Sequence, residues 1–292
     1  MTDGPLDPEE AAAAGAPALA KIPADTAMGP VHLSVADLNR SVEFYEQTVG
    51  LAVRERDADT ATLGSDIDLL VLIERPGARP ARGHTGLYHF ALLLPERADL
   101  ARWLAHAARE GVPLTGLSDH FVSEAIYLDD PDGHGIEIYW DRPREVWEGQ
   151  VAERMTTLPL DARDLMSELD DPRNASFSKL PSGTVMGHVH LCVADVEETI
   201  AFYRDLLGFA LMAQLGPYAA FLGAGGYHHH LGANTWQSRG ASHAPEDAAR
   251  LELATIFLPN QAALDRVVKQ AALRGTPLRD PSDNPLALRV RD

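Results

Sequence analysis

The sequence predicts an α+β protein in which one strand–helix–strand–strand–strand unit is used four times. The first observation is an internal repeat. GPVHLSVADLNRSVEFYEQTVGL (29–51) aligns without a gap with GHVHLCVADVEETIAFYRDLLGF (187–209), identical at 10 of 23 positions. LYHFALLLPERADLARWLAHAAREGVPL (87–114) aligns in the same way with LELATIFLPNQAALDRVVKQAALRGTPL (251–278), at 11 of 28. The second observation is that both segments switch from a period of two to a helical period, as a strand followed by a helix does.

The elements follow in order. Residues 1–27, rich in Ala, Pro, Asp and Glu, read as a flexible tail. Val31–Ala36 alternates apolar and polar. Asp37 caps a helix whose apolar face is Leu38, Val42, Tyr45 and Val49, and Gly50 closes it. Strands are predicted at Ala52–Arg56, Thr60–Leu63 and Asp68–Ile73. The second unit opens at Leu87, has a helix at Ala98–Glu110, and has strands near Pro113, at Glu124–Leu128 and at Gly135–Trp140. By repetition, units three and four start near residues 187 and 251. This gives a first domain at 28–147, a linker at 148–185 with a short helix at Asp161–Leu169, and a second domain at 186–292. In unit four, LALRVRD (286–292) read against AIYLDDP of unit two leaves no counterpart for DPDGHGIEIYW. Either unit four lacks its last strand or that strand lies in sequence beyond residue 292.

Composition narrows the function classes. A chain of 292 residues with 45% apolar and 23% charged residues is a folded protein of about two domains. Its one cysteine, Cys192, excludes an intrachain disulfide and a four-cysteine zinc site. A net charge of −18 repels polyanions, which argues against nucleic acid and anionic membranes as partners. No apolar run approaches the roughly 20 residues of a membrane span, and the acidic N-terminus does not read as a signal peptide. The expectation is a cytoplasmic protein. GAGG (223–226) lacks the GK[ST] of a phosphate loop, and no G-x-S-x-G is present.

The strand–helix openings VADLNRSVEFYEQTVGL and VADVEETIAFYRDLLGF, with the closing DPDGHGIEIYW, resemble the vicinal oxygen chelate superfamily over roughly residues 28–292. GHVHLCV, GGYHHHLGANTW and SEAIYLDDPDGHGIEIYW are similar to its type I extradiol catechol dioxygenase branch. The resemblance implies βαβββ units paired into two curled sheets, with a metal held by the first strands of the units and a unit's last strand.

Those positions fall on Pro30 in unit one, His89 and Glu137 in unit two, His188 in unit three and Leu253 in unit four. Consecutive pairing completes neither site. Pairing units two and three assembles His89, Glu137 and His188, the two-histidine, one-carboxylate set that holds Fe(II) and leaves open positions. Units one and four would then form a metal-free partner. The implied cofactor is Fe(II), with Mn(II) as the alternative. Three ligands on one face leave two positions for a catechol and one for O2. Glu137 stands in an otherwise apolar strand, where an unpaired carboxylate is costly.

Three further residues match the branch. His230, in YHHHLGAN, matches a histidine that moves protons. If the tract is a strand, His228 and His230 share one face and His229 takes the other. Tyr127 matches a tyrosine that hydrogen-bonds substrate oxygen, and His120 a histidine that touches substrate. His32 and His190 share strand faces with Pro30 and His188. The implied activity is extradiol ring cleavage of an aromatic diol with O2 by a homo-oligomer. The alternatives are a glyoxalase-type isomerase or thiol transferase, in which a fourth ligand fills an open position, and a non-enzymatic small-molecule binder.

Overall fold

The computed structural model describes residues 21–270 and 278–291. Unit one consists of β1 (Ala27–Val35), α1 (Leu38–Phe44), β2 (Ala52–Arg56), β3 (Thr60–Gly64) and β4 (Asp68–Glu74). A two-residue strand, β5 (Arg79–Pro80), leads into unit two: β6 (Gly86–Leu93), α2 (Arg97–Glu110), β7 (Gly116–Asp119), β8 (Ser123–Asp129) and β9 (Gly135–Asp141). The connecting segment carries α3 (Arg144–Trp147), α4 (Val151–Arg154), β10 (Leu158–Pro159) and α5 (Ala162–Met166), the last shorter than the sequence predicts. Unit three consists of β11 (Val185–Cys192), α6 (Val196–Ile200), β12 (Ala210–Leu215), β13 (Ala219–Gly223) and β14 (Leu231–Asn234). After β15 (Ala248–Ala249), unit four has β16 (Leu251–Leu258), α7 (Gln261–Gln270), β17 (Leu278–Arg279) and β18 (Pro285–Val290).

The helices start where their caps dictate. The Asp37 side chain accepts the Arg40 N–H at 3.0 Å, and Asp195 accepts that of Glu198 at 2.9 Å. In both repeats the α-turns then widen into a π-helix, Tyr45–Val49 and Ala201–Leu206. Gly50, at φ 91°, ends the first one in a left-handed conformation that a side chain would strain.

The sheets cut across the domain boundaries expected from the repeat. A seven-stranded sheet runs β17-β18-β16-β1-β4-β3-β2, and a nine-stranded sheet runs β10-β7-β8-β9-β6-β11-β14-β13-β12. Units one and four make the first, units two and three the second. Each unit leaves the edge of its first strand unpaired, and an open edge must find a partner. Here β1 pairs antiparallel with β16, and β6 with β11. The repeat records how the chain was built, while edge pairing decides which units share a sheet.

Two further expectations are corrected. Unit four has its last strand. β18 lies parallel to β16, the place β9 takes beside β6. The turns before them match: Asp280 accepts the N–H groups of Ser282 and Asn284 at 2.9 Å, as Asp130 accepts those of Asp132 and His134 at 2.9 and 2.8 Å. DPSDNPLALRV is thus the counterpart of DPDGHGIEIYW, and Ala287 occupies the Glu137 position. Within the expected tail, residues 1–20 lie outside the described residues, but the chain just after them is part of the fold. Ile22 is buried and its N–H bonds to Gly208 O at 2.9 Å, and β1 already begins at Ala27.

Alternation along the nine-stranded sheet sorts its residues. Phe90, Leu92, Ile126, Leu128, Ile136 and Ile138 join the main core. Their neighbours in sequence, His89, Ala91, Ala125, Tyr127, Glu137 and Tyr139, take the other face. No helix among the described residues is long and apolar enough to cross a membrane.

Candidate metal centre

His89, Glu137 and His188 converge from three adjacent strands in the order β9, β6, β11. Glu137 and His188 both lie in register with Ala91 of the middle strand. Ala91 carries no more than a methyl group, so the two flanking side chains lean together over it. His89, two residues along on the same face, completes the set. Glu137 Oε2 lies 3.0 Å from His89 Nε2 and 3.1 Å from His188 Nε2, and the two Nε2 atoms are 3.3 Å apart. Adjacent ligands of an octahedral ion bonded at about 2.1 Å stand about 3.0 Å apart, so these spacings fit three ligands on one face of a metal ion. All three side chains are buried, and this is the one such cluster of His, Cys, Asp or Glu among the described residues.

The electrostatics fit a cation. Burial alone would raise the Glu137 carboxyl, but the His188 and His89 imidazoles hold it well below the usual carboxylate range. Burial lowers His188, with Glu137 opposing it. Burial, reinforced by His89 and His188, also keeps His190 well below its ordinary value. His190 Nε2 is buried without a hydrogen-bond partner.

The three groups open onto a cavity of about 350 Å³. His190, His229, Phe221, Leu215 and Trp236 line it, together with His120 and Tyr127. His120 Nδ1 lies 2.8 Å from Thr156 O, so it carries the hydrogen, and the Tyr127 hydroxyl donates to His120 Nε2 at 2.7 Å. The phenol oxygen keeps its remaining acceptor capacity. Burial and the Glu137 charge push the Tyr127 phenol well up, so it stays protonated.

His230 is not where the sequence reading placed it. It does not line the cavity; its Nδ1 accepts the Ala224 N–H at 3.1 Å and its ring lies near Tyr227 and Phe209. The neighbour that lines the cavity is His229, whose ring centroid is 4.1 Å from that of His188. The tract is not yet strand: β14 begins only at Leu231, after a turn in which Gly225 and Gly226 adopt φ 57° and 74°. Strand alternation therefore gives the wrong phase. The glycine pair was the signal that the strand had not begun. His190, named from sequence for the strand face it shares with His188, lies at the cavity wall; Trp236 at the same wall and Asp141 behind it carry no signal of their own in the sequence.

This arrangement places a histidine–histidine–carboxylate cluster, a candidate metal seat, at the seam of two βαβββ units in a fold of paired units. The sequence profile of the Glyoxalase/Bleomycin resistance protein/Dioxygenase superfamily matches residues 27–138 and again 185–289, and the chain belongs to that superfamily. A catechol-2,3-dioxygenase of Bacillus subtilis (strain 168) is 42% identical over 277 residues, covering 92% of this chain and 94% of its own. A biphenyl-2,3-diol 1,2-dioxygenase of Pseudomonas sp. (strain KKS102) is 27% identical over 212 residues, covering 69% of this chain and 65% of its own. Among solved structures, glyoxalase I from Zea mays superposes with a TM-score of 0.54 at 17% identity, over 90% of this chain and 92% of its own. That last likeness concerns the fold alone.

Proposed function

We propose that the chain is an extradiol ring-cleaving dioxygenase acting on a catechol-like diol with O2, and that His89, Glu137 and His188 hold Fe(II). The observation that carries this reading is the convergence of the three donor atoms at 3.0–3.3 Å on the floor of a 350 Å³ cavity. The 42% identity to a protein named catechol-2,3-dioxygenase supports it. What ferrous iron supplies in such a seat is a set of adjacent open positions for two diol oxygens and dioxygen.

The chain's own groups do the rest. His229 stands beside the seat as the group that takes a diol proton and later returns it. Tyr127, its hydroxyl hydrogen directed to His120, presents its oxygen to a substrate hydroxyl. Phe221, Leu215 and Trp236 give the ring an apolar wall.

The test is metal analysis of anaerobically purified protein together with a ring-cleavage absorbance assay on a panel of catechols. The expected result is one iron per chain and oxygen-dependent formation of a ring-opened product. Zinc or nickel at full occupancy with no cleavage would favour the glyoxalase-type reaction. Manganese with full cleavage would change the metal and keep the reaction. Absence of any bound metal would leave the non-enzymatic binder.

A further inference from the structure

Behind His229 runs a hydrogen-bonded chain whose direction is set by one carboxylate. Asp141 closes β9, and its side chain is 18% exposed. Its Oδ2 accepts from the Tyr227 hydroxyl at 2.8 Å, which leaves the Tyr139 hydroxyl to donate to Tyr227, also at 2.8 Å. Its Oδ1 lies 2.8 Å from His228 Nε2. An ionised carboxylate only accepts, so His228 carries a hydrogen on Nε2. In its neutral form His228 then has a lone pair on Nδ1. That atom faces Nδ1 of His229 at 2.8 Å, and one of the two nitrogens must donate. The hydrogen then sits on His229 Nδ1, and a neutral His229 is left with a lone pair on Nε2.

We propose that Asp141 is a positioning residue which, through His228, fixes His229 in its Nδ1–H tautomer and keeps the Nε2 lone pair available to the cavity. The consequence for catalysis rests on the dioxygenase reading. In this tautomer His229 can take a proton from a diol hydroxyl at once. The O–H bond breaks, an Nε2–H bond forms, and the imidazolium charge faces Asp141 through His228. In the opposite tautomer Nε2 could donate but not accept. The device exists only because β9 of unit two and the β13–β14 connection of unit three meet in one sheet.

The test reads tautomers directly. The full chain with ¹⁵N-labelled histidine is observed by NMR, metal-free and with Zn(II). The expected spectrum shows His229 protonated on Nδ1 and bare on Nε2, and His228 the reverse. Asp141→Asn can donate to His228 as well as accept, so His229 should gain an Nε2–H population. In the iron-loaded protein, the same variant should keep its metal and its KM while kcat falls at least tenfold, toward the roughly 10²–10⁴-fold range expected when acid–base help is removed. Asp141→Glu should restore part of it. An Nε2–H His229 in the unmodified chain overturns the proposal, and that spectrum decides alone should the variant not fold. An unchanged His229 tautomer in Asp141→Asn also overturns it. If the tautomer shifts as stated and kcat does not change, the positioning stands and the assignment of His229 as the proton carrier falls.

Discussion

Across the seam where β6 and β11 pair, His89 Nε2 and His188 Nε2 lie 3.3 Å apart, and both lie within 3.1 Å of the same Glu137 oxygen. Two imidazoles and a carboxylate buried this closely are a costly arrangement unless a cation joins them. Glu137→Ala is therefore expected to abolish stoichiometric metal binding, because two histidines hold ferrous iron poorly. His229→Ala should keep the metal and lose turnover by about 10²–10⁴-fold. Metal content and ring-cleavage rate, measured on both variants, should separate them. If His229→Ala empties the site as fully as Glu137→Ala, His229 is a fourth ligand and glyoxalase-type chemistry leads.

Ala91 forms the floor over which Glu137 and His188 meet, and it is fully buried. Ala91→Leu would place a branched side chain where the ion is expected to sit. Overpacking costs about 1–3 kcal/mol, which a domain of this size survives. The expected outcome is a folded protein by circular dichroism with metal affinity lost. Retained stoichiometric metal would show that the ion sits elsewhere.

The Tyr127–His120 pair acts as a unit through its 2.7 Å hydrogen bond. In the proposed function Tyr127 presents its oxygen to a substrate hydroxyl, so Tyr127→Phe should cost about 1 kcal/mol and lower kcat/KM several-fold to tenfold with metal content unchanged. Adding His120→Ala should cost less than the product of the two single effects, because each already breaks the pair. Full multiplicativity in steady-state kinetics would mean that the two residues act independently.

His230 supplies a stability prediction. Burial, with His228 and His188 nearby, brings it from 6.5 down to about 3. Between those values the unfolded chain binds a proton that the folded chain refuses. Its contribution is therefore complete above about pH 6.5 and falls with acidification, at most about 1.4 kcal/mol per pH unit. His230→Gln should flatten this acid limb in urea unfolding at pH 7.5, 6 and 5. Identical slopes for the two proteins would sink the idea.

What the sequence determined by itself was the local chemistry. The resemblance to a known superfamily pointed to the first strands of the units and a unit's last strand, and the repeat alignment carried those positions to His89, Glu137 and His188, with Pro30 and Leu253 unable to serve as ligands. These are properties of short segments, whose side chains alternate whatever the segment packs against. Only the tertiary structure decided the rest. Choosing His229 over His230 required knowing where β14 begins, which the Gly225–Gly226 turn and the pairing with β13 set. Recognising LALRV as the last strand of unit four required seeing it beside β16, because a short apolar run fits either strand slot equally well. Asp141 reads as an ordinary charged residue at a strand end. It gains a role only when edge pairing carries unit two against unit three and places its carboxylate 2.8 Å from His228.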